Sequence, residues 1–397
     1  MFFLFAQHLV FDDEVELFCN EIVTTMSKEM GIKNKKIPVY LMDTEDVNAA
    51  AAGHGILLIH TGLIAECKNA DEFIGVLAHE LGHIQKAHTF YFYQAGKAMN
   101  IALSAGFGLG LILAPLTGGL SLLVLPIMGA GGAQSSILSY MRVHEFEADQ
   151  IAVQTLKKMN WPTDGLRTFL QRLKEHDYLI ELTGLTTHPL SSDRIRRIEE
   201  MSRGAKGTLS SDIHKKFSRI RAKVMGYMRK NEKTEDLYEK TQALYVRRDF
   251  ANALKTIDQL LEKDKNDVFY KEMKADILFL KGDIENAHII YKEIAEQNKD
   301  LKYVPMKIVS CVILLKSDLD AGLAILAHAR AKERASPYLW HLTGHIYKLK
   351  GDIKTMWFCR CQAAFLAKDM TFVKKHIDKA DTDVFVDLYK EMKELIR

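Results

Sequence analysis

The sequence His79-Glu80-Leu81-Gly82-His83 constrains this chain more than any other feature. Residues four positions apart lie on one face of an α-helix, so His79 and His83 can each offer a ring nitrogen to a single metal ion. Glu80 follows the first histidine and can reach a water molecule beside that metal. This H-E-x-x-H order predicts zinc-assisted amide hydrolysis, in which the carboxylate takes a proton from the attacking water.

The residues around the motif favour a helix. Asn69 is a preferred N-cap residue, and the acidic residues that follow it suit the positive end of a helix. Apolar residues then recur at helical spacing, and we expect them to face a core. They are Phe73, Val76, Leu77, Leu81 and Ile84.

A hydrolytic zinc ion has three protein ligands and one open position, so the third ligand must come from another segment. Residues 144–149, His-Glu-Phe-Glu-Ala-Asp, offer one. Glu145 and Asp149 lie four positions apart, so one helix can present a ligating carboxylate and, one turn later, an acceptor for the second N–H of a ligand histidine. Glu147 is expected to face solvent. The predicted site therefore has His79, His83 and Glu145 as zinc ligands, Glu80 as catalytic base and Asp149 as the residue that orients a ligand.

These motifs and three other segments resemble the gluzincin peptidases that include HtpX and the CAAX prenyl proteases. Within that group the chain is most similar to the BepA-like zinc metalloproteases that carry tetratricopeptide repeats. The other segments are Pro38-Val-Tyr-Leu-Met with Val47-Asn48-Ala, Ile56-Leu-Leu-Ile-His-Thr-Gly-Leu, and Thr187-His188-Pro189 with Arg194-Ile195. The resemblance covers roughly residues 10–200 and implies a gluzincin-type zinc metallopeptidase domain.

The resemblance also implies roles for two residues downstream of the motifs. His188 is expected near the zinc ion as a catalytic residue, either an occluding fourth ligand or a donor to the developing oxyanion. The alternative is a loop histidine satisfied by a backbone carbonyl. Arg194 is expected to anchor the same region through a carboxylate, and the alternative is an ordinary arginine on a helix surface.

Composition limits the other possibilities. The chain has 397 residues, enough for two to three domains, and 48% of its residues are hydrophobic. The net charge of +3 gives no sign of nucleic-acid binding. The five cysteines form neither a disulfide framework nor a paired zinc-binding motif, so we expect buried free thiols.

The segment between the two motifs is uniformly apolar. Residues 98–141 contain no charged residue and no histidine, and residues 101–133 hold eight glycines. A single membrane crossing would separate Glu145 from His79 and His83, and two crossings would need about 20 residues each. We therefore expect an apolar lid or hairpin beside the site. Three forms remain open: a lid packed on protein, a contact with a membrane surface through residues 101–133, or a short re-entrant hairpin.

The last part of the chain repeats at a regular interval. Ala253, Ala287 and Ala321 are 34 residues apart, and Met356 follows after 35. This is the period of tetratricopeptide repeats. A small side chain at such a position lets two helices approach closely. We expect an α-solenoid with a C-terminal capping helix over residues 233–397, and a surface on it for a protein partner. The alternative is an unrelated helical bundle.

The predicted organisation has three parts. Residues 1–202 form the zinc metallopeptidase domain, residues 203–232 form a polar linker and a basic connecting helix, and residues 233–397 form the solenoid. The fold class is mainly α with a small β-sheet, with strands near residues 37–43 and 55–60. The edge strand of this sheet is a docking site for an extended peptide.

The function that follows is a zinc-dependent endopeptidase with protein or peptide substrates. The resemblance implies unfolded or misassembled envelope proteins as substrates and the bacterial periplasm or envelope as the location. The apolar N-terminal residues are too short for a signal peptide, although they can be the end of one if the natural start lies upstream. Two alternatives remain open: a chaperone or assembly factor with gated or minor proteolysis, and a membrane-associated protease that acts at the lipid surface.

Overall fold

The computed structural model describes residues 9–32, 37–52, 55–88, 131–175, 192–228, 236–332 and 336–395. The chain divides into two compact units, Met1–Asn231 and Glu232–Arg397. It is mainly helical with one small sheet among the described residues, and this confirms the predicted fold class at that level.

The first unit contains a four-stranded sheet and seven described helices. The strands are β1 (Leu9–Val10), β2 (Val39–Met42), β3 (Ala49–Ala52) and β4 (Ile56–His60). The helices are α1 (Asp13–Glu29), α2 (Thr61–Glu66), α3 (Ala70–Gln85), α4 (Gly131–Lys158), α5 (Gly165–Glu175), α6 (Ser192–Ser202) and α7 (Ser211–Tyr227).

The strand order in the sheet is β1-β2-β4-β3. Strands β2 and β4 pair in parallel, with Val39 opposite Leu57, and they coincide with the two predicted strands. Strands β1 and β3 pair antiparallel with β2 and β4 respectively, and β3 is an edge of the sheet. The composition of β3, four alanines, does not favour a strand, so its conformation follows from its pairing with β4.

Helix α3 lies at the centre of the first unit. All of its residues from Ala70 to His83 except Asp71 are buried, including His79, Glu80 and His83. The Phe73 ring stacks on Phe18 of α1 with ring centroids 6.3 Å apart and lies 5.3 Å from Phe217 of α7. A helix that is buried on every side is held in one position by its neighbours, so the side chains it carries are fixed in space.

Helix α4 begins within the range that we predicted as an apolar lid. The backbone of residues 131–141 is helical and continues without a break into residues 144–149. The rest of the predicted lid, including most of residues 101–133, lies outside the described residues. No helix in the described part of the chain combines the length and apolar character needed to cross a bilayer.

The second unit contains ten described α-helices, and the first nine pack on one another in chain order. They are α8 (Leu237–Val246), α9 (Phe250–Lys263), α10 (Val268–Lys281), α11 (Ile284–Gln297), α12 (Val304–Leu315), α13 (Leu319–Lys332), α14 (Pro337–Leu349), α15 (Ile353–Leu366), α16 (Met370–His376) and α17 (Val386–Leu395). A short 3₁₀ helix, Ile377–Lys379, follows α16.

Some of the residues that recur every 34 positions in this unit lie where two helices pack together. Ala253 and Ala287 are fully buried, whereas Ala321 is only partly buried. Beside it, a Cβ atom added to Gly322 would lie 2.9 Å from the Ile346 side chain, so Gly322 is the residue in close contact there. A tetratricopeptide solenoid remains a prediction for this unit.

Candidate metal centre

The first motif lies in the second half of α3. The helix begins where we predicted, because the side-chain oxygen of Asn69 accepts a hydrogen bond from the backbone N–H of Glu72 at 3.0 Å. Four residues separate His79 from His83, and both rings point to the same side of the helix. Their Nε2 atoms lie 3.1 Å apart.

Helix α4 brings the third group. Oε1 of Glu145 lies 3.3 Å from Nε2 of His83, and Oε2 lies 3.4 Å from Nε2 of His79. The two helices approach closely at Gly82, where an added Cβ atom would lie 2.9 Å from the backbone oxygen of Ala148. The glycine of the first motif therefore lets the second motif come within ligand distance.

These three groups fit one metal ion. Ligand bonds of about 2.0–2.2 Å in a tetrahedral arrangement place neighbouring ligand atoms about 3.3–3.5 Å apart. The separations of 3.3 and 3.4 Å, each to a different oxygen of Glu145, lie in this range, and the 3.1 Å between the two imidazole nitrogens is slightly shorter. His79, His83 and Glu145 therefore form a cluster of two imidazoles and one carboxylate that can hold a metal ion.

Asp149 lies behind the first histidine, one helical turn after Glu145. Its Oδ1 atom is 2.8 Å from Nδ1 of His79. A hydrogen bond there holds the ring proton on Nδ1 and leaves the Nε2 lone pair directed at the cluster. Burial and the Arg194 guanidinium disfavour a charged imidazole, but the Asp149 and Glu145 carboxylates outweigh them and raise the pKa of His79 to about 9. Only a neutral imidazole is a metal ligand, so metal binding at His79 would release this proton.

Arg194, on α6, connects the two carboxylates of α4. Its Nη1 atom lies 2.7 Å from Oε2 of Glu145, and its Nε atom donates to Oδ2 of Asp149 at 2.6 Å. Burial opposes charge on Asp149, yet the Arg194 and His79 groups hold the pKa of this carboxyl below its usual range. Arg194 is buried and paired with these carboxylates, whereas an ordinary arginine on a helix surface would be exposed.

Glu80, the residue after His79, lies next to the sheet. Its Oε2 atom accepts a hydrogen bond from the backbone N–H of Ala51 at 3.0 Å. Ala51 belongs to the edge strand β3, so the carboxylate expected to act as a base is held directly against the edge of the sheet. Like the metal-binding groups, Glu80 is buried, with 2% of its surface exposed.

The structure thus brings together six of the seven residues predicted for the site: His79, Glu80, His83, Glu145, Asp149 and Arg194. The seventh, His188, lies outside the described residues. Buried ionisable groups that cluster around a few shared contacts are typical of functional sites, because burying them is costly unless they are paired.

His88, which we had not assigned to the site, contacts His83 and is itself contacted by Glu147. Nδ1 of His88 lies 2.9 Å from Nδ1 of His83, and Nε2 of His88 lies 3.0 Å from Oε2 of Glu147. A continuous helix would place His88 away from the ligand face, and Glu147 was expected to face solvent. The sequence feature that could have indicated the contact of His88 is the series of histidines at positions 79, 83 and 88.

Comparison with known proteins agrees with this arrangement. Residues 16–202 match the family model described as Peptidase family M48. This range contains both motif helices and Arg194, and it ends at the last residue of α6.

Several curated proteins are similar in sequence. A beta-barrel assembly-enhancing protease from Yersinia pestis is 24% identical over 348 residues, which cover 83% of this chain and 65% of that protein. Metalloprotease YcaL from Escherichia coli K12 is 30% identical over 40% of this chain and 59% of that protein. A CAAX prenyl protease 1 homolog from Arabidopsis thaliana is 31% identical over 43% of this chain and 42% of that protein. The chain spans less than two thirds of the length of each of these relatives.

Proposed function

We propose that the protein is a zinc-dependent endopeptidase, because residues 16–202 match the model of Peptidase family M48. The observation that carries the proposal is the convergence of three ligand atoms from His79, His83 and Glu145 beside the Glu80 carboxylate. Two imidazoles and one carboxylate are the ligand set of catalytic zinc sites that keep a position open.

The chemistry divides between the metal and the side chains. Zinc, when bound, supplies Lewis-acid polarisation of water and of the scissile carbonyl. The Glu80 carboxylate accepts the proton of the attacking water and passes it to the nitrogen of the leaving amine. The hydrogen bond from the Ala51 N–H fixes one oxygen of Glu80 and so orients the carboxylate for both transfers.

The surrounding residues hold this arrangement. Asp149 keeps the His79 proton on Nδ1, and Arg194 holds Glu145 and Asp149 in place while balancing their negative charge. His188 is proposed as an occluding ligand or oxyanion donor, and this role rests on the sequence resemblance alone.

Strand β3 is the proposed docking edge for the substrate. It is an edge of the sheet in the described part of the chain, and its Ala51 N–H contacts the catalytic carboxylate. An extended peptide that adds to such an edge gains backbone hydrogen bonds. The strand Ala49–Ala52 consists of alanines, so it presents no bulky side chain to a docked peptide. The scissile bond would then lie next to Glu80.

We propose unfolded or misassembled envelope proteins as substrates and the bacterial periplasm or envelope as the location. The support is the similarity to proteases named for enhancing β-barrel assembly, because transmembrane β-barrels of this type belong to bacterial outer membranes. The second unit, which we propose is a tetratricopeptide solenoid, would bind a client or partner outside the active site. The same relatives' names favour a second candidate, an assembly factor in which proteolysis is gated or minor.

The experiment that tests this proposal compares casein cleavage by the wild-type chain and by Glu80→Gln. We expect cleavage to fall by about 10²–10⁴-fold in the variant, which is the usual contribution of a general base. Glu72→Gln is the matched control, because Glu72 is a buried glutamate on the same helix that pairs with Arg172 instead. It should retain cleavage.

Two results would count against a protease. Equal cleavage by wild type and Glu80→Gln would remove Glu80 from the mechanism. Absence of cleavage in zinc-loaded wild type would favour the assembly factor.

A further inference from the structure

The two predicted histidine ligands differ in what their second ring nitrogen contacts. Nδ1 of His79 faces a carboxylate, that of Asp149, at 2.8 Å. Nδ1 of His83 faces another imidazole, that of His88, at 2.9 Å. Nε2 of His88 in turn lies 3.0 Å from Oε2 of Glu147. Three side chains thus form a continuous hydrogen-bonded chain behind the second ligand.

The backbone builds this contact at the end of α3. The helix ends at Gln85, and Ala87 then adopts a left-handed conformation with φ of 54°. This conformation is uncommon for a residue with a side chain. It turns the chain back, so His88 lies over His83 with ring centroids 5.1 Å apart, and His88 is buried.

The positions of the protons in this chain follow from the chemistry of neutral imidazole, which has one N–H donor and one lone-pair acceptor. With Nε2 of His83 offering its lone pair to a metal ion, the His83 proton would be on Nδ1 and would be donated to Nδ1 of His88. The His88 proton is then on Nε2 and is donated to the Glu147 carboxylate. Every donor has one acceptor, and the chain ends on a group that only accepts.

From this match we propose that His88 and Glu147 are positioning residues that hold His83 in the tautomer and orientation needed to bind the metal. The proposal rests on the zinc site described under the proposed function. His88 does for His83 what Asp149 does for His79, with Glu147 as the terminal carboxylate. Metal-ligating histidines are commonly held in this way, and loss of such a partner typically weakens metal binding or activity by about 10–100-fold.

His88 and Glu147 could instead be ligands of a second metal ion, but the geometry of the rings argues against this alternative. His88, His144 and Glu147 have possible ligand atoms within 4.8 Å of one another. However, the His88 and His144 rings are stacked with an angle of 1° between their planes. An imidazole binds a metal in the plane of its ring, and two parallel planes share no point. A metal on Nε2 of His88 would also move that proton to Nδ1, against the Nδ1–H of His83.

The test is the zinc dissociation constant of the full chain, measured by competition with a chelator. His88→Ala and Glu147→Ala remove one link each, and we expect zinc binding to weaken by about 10–100-fold for His88→Ala and by less for Glu147→Ala. His88→Asn should stay close to wild type, because the asparagine side-chain oxygen can replace Nδ1 as the acceptor for His83. His144→Ala is the control, since it removes the stacked ring and leaves the hydrogen-bonded chain intact.

A second readout separates positioning from a merely structural role. The visible absorption spectrum of the Co²⁺-substituted protein reports the geometry of the ligands. We expect its bands to shift in His88→Ala and to return in His88→Asn. A structural role would lower the unfolding temperature of the metal-free protein and leave these bands unchanged. Because the Glu147 side chain is 39% exposed, Glu147→Ala should fold even if His88→Ala does not.

Three results would overturn the proposal, and they can be told apart. Wild-type zinc affinity in folded His88→Ala and Glu147→Ala would remove the positioning role alone. Two zinc ions per wild-type chain, falling to one in His144→Ala, would show a second metal site instead. A wild-type chain that binds no zinc would overturn the proposed function together with this inference.

Discussion

Nη1 of Arg194 lies 2.7 Å from Oε2 of Glu145, the carboxylate that completes the candidate metal site. The same guanidinium donates to Asp149, so one buried cation balances two buried anions on the neighbouring helix. Removal of one partner from such a buried group leaves an uncompensated charge. This lowers the stability of the protein by more than the ion pair itself contributes.

Replacement of this arginine by an apolar residue should therefore destabilise the metal-free protein. We expect Arg194→Met to lower the free energy of unfolding by about 3–5 kcal/mol. Arg196→Met, on the same helix, removes an exposed pair with Asp193 that solvent screens, so it should cost far less. Urea unfolding in the presence of a chelator measures both. Equal losses in the two variants would mean that the Arg194 contacts contribute no more than a surface ion pair.

Asp149 gives a prediction about metal affinity. Asp149→Ala removes the acceptor for Nδ1 of His79 and frees the ring to rotate or change tautomer, so zinc binding should weaken by about 10–100-fold. Asp164→Ala, which removes an exposed partner of Arg167, should leave the zinc dissociation constant unchanged. Chelator competition measures both variants. Unchanged zinc binding in Asp149→Ala would contradict the orienting role.

Variants at two glycines of α3 can distinguish a loss of packing from a change in the geometry of the metal site. Both Gly75→Ala and Gly82→Ala force a methyl group against a neighbouring backbone, at Leu166 and Ala148 respectively. Both should cost about 1–3 kcal/mol of stability. Only Gly82→Ala displaces the helix that carries Glu145, so only this variant should also lose zinc affinity, by about tenfold or more. Thermal unfolding and zinc titration of the two proteins test this, and parallel losses of zinc affinity would show that the Gly82 contact has no special importance.

The cysteines give a prediction about reactivity. All five are buried and unpaired with one another, and burial is the main cause that raises the pKa of Cys311 and Cys361 to about 11 and that of Cys359 to about 12. Thiolates are the reactive form, so the native protein should resist a thiol reagent at pH 8. After denaturation all five should react. Rapid native labelling, seen by mass spectrometry, would contradict the burial.

The local part of the site could be predicted from sequence because helical spacing is a local property. His79 and His83, and likewise Glu145 and Asp149, are four residues apart, so each pair had to share a helix face once the helices formed. Helical spacing alone does not predict that the two helices contact each other. The close contact of Gly82 with Ala148 joins residues far apart in the chain, and the pairing of the two motifs was predicted instead from the need of a hydrolytic zinc ion for a third ligand.

The parts that were missed depend on backbone geometry or tertiary context. In a continuous helix His88 would lie off the ligand face, whereas the left-handed residue Ala87 turns the chain back. The strand Ala49–Ala52 has the composition of a helix and is extended because it pairs with β4. In the second unit the 34-residue period selected Ala321, but the close contact belongs to its neighbour Gly322.

The most direct test of the account is the zinc content of the chain purified without a chelator, measured by elemental analysis. We predict one zinc per chain in the wild type and in Glu80→Gln, because Glu80 is not a ligand, and far less than one in Glu145→Ala. No zinc in the wild type, or equal zinc in Glu145→Ala, would contradict the central claim that His79, His83 and Glu145 form a zinc site.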